Sequence, residues 1–337
     1  MIPEALAALV EKRDLTEAQA AACMAQIMSG EATPAQFGAF VVALRMKGET
    51  VDEIAGMARV MREQSLHVSV AGPLLDTCGT GGDGKGTFNA STAAAFVAAG
   101  AGARVAKHGN RAMTSACGSA DVLEALGAKI NLSPEGVAAC IERAGIGFMF
   151  AQVFHPAMKF AAGPRREIGV RTVLNILGPL TNPASAQAQV LGAADAVLAE
   201  KLAYVLLRLG VKHALVVHGE DGLDELSVCA SSDVFELRGG DVTAWKVNPR
   251  DLGLPIEAPD ALRGGSAEEN AAALRRVLDG EQGALRNFTL LNAAAALVAA
   301  DKASDLTEGL SLAAQSIASG AASEKMHAFV KLSNEVA

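Results

Sequence analysis

Aromatic side chains are scarce in this chain, at 4% of residues with one tryptophan and one tyrosine. Its core must therefore be built mainly from Ala, Leu and Val, as suits a helix-rich protein. Cysteine is sparse as well. The five thiols (Cys23, Cys78, Cys117, Cys140, Cys229) are scattered with no Cys-x-x-Cys pair, which argues against a disulfide framework or a zinc site and for a reducing cytoplasm. No apolar run reaches the roughly 18 residues of a membrane span. The first residues, Met1 to Asp14, carry acids among short apolar runs and lack a basic start with a signal-peptide core. A soluble, cytoplasmic protein is expected, with no membrane partner. Positive charge is also lacking: 29 Lys and Arg stand against 37 Asp and Glu, a formal charge of −8. That disfavours a nucleic-acid partner, which calls for a basic patch. A small anionic ligand is not excluded, because salt confines surface fields to about 8 Å.

What is present is glycine, 34 residues of it, in a chain of 337 that exceeds one ordinary core. The first ~65 residues read as a helical module. Thr16 with Gln19, Thr33 with Gln36 and Thr50 with Glu53 are capping boxes, and Pro34 sits at a first helical position. Gly30 and Gly48 are placed to end the preceding helices. Leu66 to Pro73 turns short and β-like, a natural boundary. Beyond it the pattern alternates, with strands expected at Leu74–Cys78, Arg104–Lys107, Lys129–Leu132, Ile146–Phe150, Ala188–Leu191 and Ala214–Val217. Helices are expected at Asn89–Ala99, Cys117–Leu126, after Ser133-Pro134, and at Ala196–Leu209. Such βαβ spacing implies an α/β fold with a mainly parallel sheet flanked by helices. Phe235–Leu237 and Val242–Trp245 read as a hairpin across Gly239-Gly240. Ser266 with Glu269 opens a helical tail.

The most informative segment runs from Asp76 to Thr92 and holds five glycines in the eight residues 79–86. It follows a strand and opens a helix. Glycines there let backbone N–H groups approach a polyanion, and the helix adds unpaired donors and its dipole. Asn89, Ser91 and Thr92 add side-chain donors. The spacing is neither the dinucleotide fingerprint nor Walker A. After the next strand comes Lys107-His108-Gly109-Asn110-Arg111, with Thr114, Ser115 and Ser119 close behind. C-terminal ends of parallel strands share one rim, so this loop should lie beside the first.

Asp224-Glu225 follows another buried strand. Hard cations want carboxylate oxygens, and magnesium usually takes one or two of them plus substrate phosphates; a solvated acidic loop is the competing reading. Arg165, Arg166 and Arg171 each offer a guanidinium fork suited to a carboxylate. The residues alone do not choose among the three.

These segments resemble the anthranilate phosphoribosyltransferase family, and the likeness runs nearly end to end. It is carried by Gly79-Thr80-Gly81-Gly82-Asp83, Asn89-Ala90-Ser91-Thr92, Lys107 to Arg111, Gly118-Ser119-Ala120-Asp121, His155-Pro156-Ala157, Arg171 to Pro183, Asp224-Glu225 and Leu291-Asn292-Ala293-Ala294-Ala295. The resemblance implies a small helical domain, 1–68 joined in space by about 164–185, hinged to a large α/β domain of 69–163 and 186–337. It also implies a homodimer through the helical domains and a role in tryptophan biosynthesis. Gly79, Gly82, Asp83, Thr87, Asn89, Ser91, Thr92, Lys107, Ser115 and Ser119 would hold phosphoribosyl diphosphate. Ser91, Asp224 and Glu225 would serve Mg2+, and Gly79, Asn110 and Arg165 would hold anthranilate. No acid–base residue is expected to be indispensable, His108 being the candidate proton acceptor. Three positions depart from the family pattern: Gln152 for a proline, Pro164 for an aliphatic residue and Asn287 for an aspartate. A pyrimidine nucleoside phosphorylase shares the architecture but carries Lys-His-Ser where Asp76-Thr77-Cys78 stands here. A non-catalytic relative that binds nucleic acid should be basic.

Overall fold

The structure, a computed structural model, describes residues 1–112 and 117–337. Four helices open it: α1 (Ile2–Val10), α2 (Glu17–Met28), α3 (Pro34–Lys47) and α4 (Val51–Glu63). The three capping boxes close as their sequences require. The hydroxyls of Thr16, Thr33 and Thr50 accept the N–H of Gln19, Gln36 and Glu53, whose side chains bond back; each cap is worth ~1 kcal/mol. Glu53 does more than cap. Fully buried, it also accepts the Leu15 N–H at 2.9 Å and Lys47 Nζ at 3.0 Å, tying the α1–α2 connection to α4.

The chain then alternates through β1 (Leu75–Gly79), α5 (Ala90–Gly100), β2 (Val105–Gly109), α6 (Ser119–Ala125), α7 (Pro134–Ala144) and β3 (Ile146–Phe150). Short α8 (Ala151–Phe154), α9 (Lys159–Ile168) and α10 (Leu174–Leu177) lead to β4 (Ala188–Gly192), α11 (Ala196–Arg208) and β5 (His213–Gly219). A hairpin of β6 (Ser232–Arg238) and β7 (Asp241–Val247) turns on Gly239 and Gly240, both at positive φ. Helices α12 (Ala267–Leu278), α13 (Ala284–Ala299), α14 (Leu306–Ala318) and α15 (Ala321–Glu335) complete the chain.

The seven strands form one sheet in the order β3-β2-β1-β4-β5-β6-β7. Pairings from β3 to β5 are parallel, and the hairpin adds two antiparallel strands at one edge. Both faces are covered, which is why the parallel strands read as near-continuous apolar runs. On β5, Leu215 and Val217 enter a core with α5 and α13, while Ala214 and Val216 enter a second with α11. That second core also holds the buried faces of α1–α4 and Ala161, Leu174, Ile176 and Leu177 from the α9–α10 segment. The segment thus packs with the amino-terminal helices although some hundred residues of the α/β part intervene.

Two expected elements differ. Lys129–Leu132 is no strand. Ile130 and Leu132 are buried as their alternation demands, but the Lys129 N–H goes to Ser333 Oγ of α15 at 3.0 Å. The place beside β2 is taken by β3. Residues 66–73 form no strand and bend at Ala71-Gly72; the Leu66 N–H bonds to the Phe154 carbonyl and the Val68 N–H to that of Pro183.

Candidate active site

Strand order reverses at β1: β2 and β3 lie on one side, β4 and β5 on the other. The crevice at the carboxyl ends of β1 and β4 is therefore where a doubly wound sheet opens to a ligand. Both strands end in glycine, and the reason is local. A Cβ on Gly79 would lie 2.5 Å from Asp224 Oδ2, and one on Gly192 would lie 1.6 Å from the Asp224 carbonyl oxygen. The missing side chains admit the loop after β5, so Asp224 and Glu225 sit directly over the switch point. Asp224 Oδ2 accepts the Gly81 N–H at 2.7 Å, and Glu225 Oε1 accepts the Ser91 N–H at 3.2 Å.

These carboxyls sit in an unfavourable place for two negative charges. Burial raises the pKa of both above the ordinary range. Asp83 beside Asp224 adds to the rise of Asp224; Asp224 adds to that of Glu225, against a pull downward from Lys107. A cation between the acids would relieve the repulsion. Among the described residues no group of three or more His, Cys, Asp or Glu forms a cage. A hard divalent ion such as magnesium does not need one, since one or two carboxylates plus phosphate oxygens and water complete its shell. With the Ser91 hydroxyl on the same wall, the donor set fits.

Below the rim lies a buried polar layer. Lys107, 2% exposed, donates through Nζ to the Thr77 carbonyl and sits 3.4 Å from Ser91 Oγ. Burial lowers its pKa, while Asp76 opposes the fall. Asp76 is fully buried and accepts the His108 N–H at 3.1 Å and Asn182 Nδ2 at 2.7 Å. The same Asn182 nitrogen reaches the Ala106 carbonyl at 2.8 Å, locking the ends of β1 and β2 to the connection before β4. Neither Asp76 nor Asn182 is assigned a role from sequence. An acid inside an apolar strand is the signal that marks the first, because a buried carboxyl is retained only with partners.

A cavity of about 330 Å³ opens at this rim. Gly79, Gly82, Asp83, Thr87, Asn89, Ser91, Lys107, His108, Asn110, Ser119, Arg165, Asp224 and Glu225 all line it. Thr92 does not. In the first turn of α5, it is 1% exposed and its hydroxyl, buried beneath the wall, has no partner among the described residues. Ser115, like Thr114, lies outside the described residues. Of the three arginines, Arg165 and Arg171 line the cavity, while Arg166 faces solvent. Burial and the neighbouring Arg171 both lower the pKa of Arg165, so an anion there would gain two guanidiniums. Arg111 is on the wall too, but Asp121 and Glu124 pair with it and blunt its charge.

His108 presses against His155 with ring centroids 5.1 Å apart. Its Nδ1 lies 3.1 Å from the Gly178 carbonyl, which only accepts, so Nδ1 carries the hydrogen and Nε2, buried and without a partner among the described residues, is a bare acceptor. Burial, with His155 beside it, holds the His108 pKa down at about 3. The ring is neutral at pH 7.

Among the departures, Pro164 lies inside α9 one residue before Arg165. Gln152 is exposed on α8, next to Ala151 of the wall. Asn287 donates to Glu257 at 2.8 Å, far along the chain from the rim strands.

The sequence profile of the glycosyl transferase family, helical bundle domain, matches residues 3–65, and that of the glycosyl transferase family, a/b domain, matches residues 71–323. The chain is 60% identical over 334 residues to anthranilate phosphoribosyltransferase of Chloroflexus aurantiacus, covering 98% of each chain. It superposes on the crystal structure of the Thermus thermophilus anthranilate phosphoribosyltransferase with a TM-score of 0.93 at 46% identity, over 98% of this chain and 99% of the other. The Saccharomyces cerevisiae enzyme, in complex with phosphoribosyl diphosphate and magnesium, gives 0.92 at 26% identity, over 99% and 98%.

Proposed function

The chain belongs to the anthranilate phosphoribosyltransferases, and from that premise we propose which of its residues carry the reaction. The phosphoribosyl group of phosphoribosyl diphosphate passes to the amino nitrogen of anthranilate and diphosphate leaves, a step of tryptophan biosynthesis. One observation carries the assignment: the amide-rich loop, the acidic pair and two guanidiniums face a single cavity.

The diphosphate takes the loop amides of Gly79 and Gly82 and the amino end of α5, with Thr87, Asn89, Ser91, Lys107 and Ser119 around it and Asp83 toward the ribose side. Thr92 supports this wall from below, and Ser115, outside the described residues, belongs to the set by family resemblance alone. Asp224, Glu225 and Ser91 would hold magnesium, which would neutralise charge on the departing diphosphate. Anthranilate lies toward Gly79, Asn110 and Arg165, whose guanidinium meets the carboxylate.

The transition state has oxocarbenium character at the anomeric carbon, with negative charge growing on the leaving group. Preorganised N–H donors and the Lys107 cation stabilise that charge without reorganising. The anthranilate amine is neutral at pH 7, so holding it in line with the anomeric carbon weighs more than a strong base. His108, whose neutral ring lines the cavity, is the candidate acceptor of the proton that the amine sheds. So weak a base takes no proton before the C–N bond has formed.

The helical part, 1–68 with 164–185, and the α/β part, 69–163 with 186–337, act as two bodies closing on the cleft. A homodimer through the helical part belongs to this reading by family resemblance. A cytoplasmic location rests on five unpaired cysteines. No helix among the described residues is long and apolar enough to cross a membrane.

The activity is tested by following anthranilate fluorescence after adding phosphoribosyl diphosphate. Loss of signal that requires magnesium and releases diphosphate is the expected result. Unchanged fluorescence from folded protein across a range of magnesium would overturn the assignment.

A further inference from the structure

The glycine loop can offer its amides to an anion only if its peptide planes are held. The carbonyl of one residue and the N–H of the next share a rigid plane and point in opposite directions. Fixing the carbonyl therefore aims the amide. In this loop one side chain holds two carbonyls. Arg171 Nη2 donates to the Gly81 carbonyl at 2.8 Å and lies 3.4 Å from that of Thr80.

The two planes have different fates on their other side. The Gly81 N–H goes to Asp224 Oδ2 at 2.7 Å, so the 80–81 peptide is strung between a guanidinium and a carboxylate. The Gly82 N–H has no protein acceptor among the described residues. It is aimed away from Arg171 and left open. Gly82 itself sits at φ +79°, and a Cβ there would lie 1.1 Å from Arg171 Nη1. The glycine is thus required by the arginine packed on it as well as by its backbone conformation.

Arg171 belongs to the turn between α9 and α10, whose apolar residues share a core with α1–α4. The guanidinium reaches from that body onto a loop of the sheet.

We propose that Arg171 is a positioning residue for the transfer: it clamps the glycine loop across the cleft so that the Gly82 N–H is presented to a phosphate oxygen. The inference rests on the reading above that this loop holds the diphosphate. It separates Arg171 from Arg165, which lies on the same wall but makes no such contact with the loop. One terminal nitrogen, Nη2, faces both carbonyls while Nη1 lies flat over Gly82, a placement set by the rigid guanidinium plane that a lysine ammonium does not reproduce.

The test pairs hydrogen exchange with kinetics on the full-length protein. In Arg171→Ala without ligand, amides 80–84 should exchange faster than in wild type. The KM for phosphoribosyl diphosphate should rise by about tenfold or more, with the anthranilate KM within about twofold. Arg171→Lys should leave the loop loose and most of the affinity lost. Four results would overturn the proposal: unchanged loop exchange in Arg171→Ala; a loosened loop with an unaltered phosphoribosyl diphosphate KM; a rise confined to anthranilate; or full affinity in Arg171→Lys, which would make the residue a simple counter-charge. The ligand-free exchange difference does not depend on what the loop binds. If wild-type exchange at 79–92 ignores phosphoribosyl diphosphate with magnesium, the diphosphate reading fails, whatever Arg171 does.

Discussion

Changing Asp224→Asn together with Glu225→Gln is expected to lower kcat/KM by about a thousandfold or more at millimolar magnesium, since each 1.4 kcal/mol of lost transition-state stabilisation is tenfold in rate. The residual activity should need more magnesium. The substitutions keep shape and hydrogen bonding, because an amide oxygen can still accept the Gly81 and Ser91 N–H groups that the carboxylates accept now. They remove only charge. That charge is costly in the absence of ligand: burial raises both carboxyl pKa values, with Asp83 adding to the rise of Asp224 and Asp224 to that of Glu225. A carboxyl whose folded pKa lies above its unfolded value loses stability as pH climbs between the two. The ligand-free double variant should therefore melt no lower than wild type at pH 7–8, and its melting temperature should fall less steeply with rising pH. Inactivity with an intact or raised melting point places the acids in function rather than in folding. Wild-type turnover at low magnesium would exclude the metal role.

Arg165→Ala should raise the anthranilate KM by about 10–100-fold, the scale of one charge-assisted, fork-to-carboxylate contact. The KM for phosphoribosyl diphosphate should stay within a few-fold, because the lost contact is to the acceptor. Burial, and after it the nearby Arg171 charge, disfavours the Arg165 cation, so its guanidinium gains from a carboxylate partner. Substrate discrimination gives a second readout. A benzene analogue with the amine but no carboxylate should react equally poorly with wild type and Arg165→Ala. A variant whose anthranilate KM is unmoved would remove Arg165 from the site.

Much of this arrangement is legible in the sequence because its determinants are local. The capping boxes at Thr16, Thr33, Thr50 and Ser266 need only residues three apart, and all four close. The glycine loop declares itself by five glycines between a strand and a helix. Parallel-strand logic then brings Lys107 and Asp224 to the same rim. What stays hidden depends on distant partners. Lys129–Leu132 has the alternation of a strand, yet its backbone partner is Ser333 of the last helix, and no local signal distinguishes the two outcomes. Thr92 belongs by motif to the donors at the start of α5, but the 100° step of the helix turns its side chain into the core. Asp76 and Asn182 stand 106 residues apart, and Arg171 lies 90 from Gly81. A single sequence presents Arg165, Arg166 and Arg171 as equivalent. Only the packing of α9 and α10 on the amino-terminal helices turns two of them inward and gives them different neighbours.

The most direct test is a calorimetric titration of phosphoribosyl diphosphate into the wild-type protein, with and without magnesium. Binding at one site per chain, strengthened at least about tenfold by magnesium and losing that enhancement in the Asp224→Asn, Glu225→Gln variant, is the expected result. Equal affinity with and without the metal, or an enhancement that survives in the variant, would contradict a diphosphate held between the glycine loop and the acidic pair.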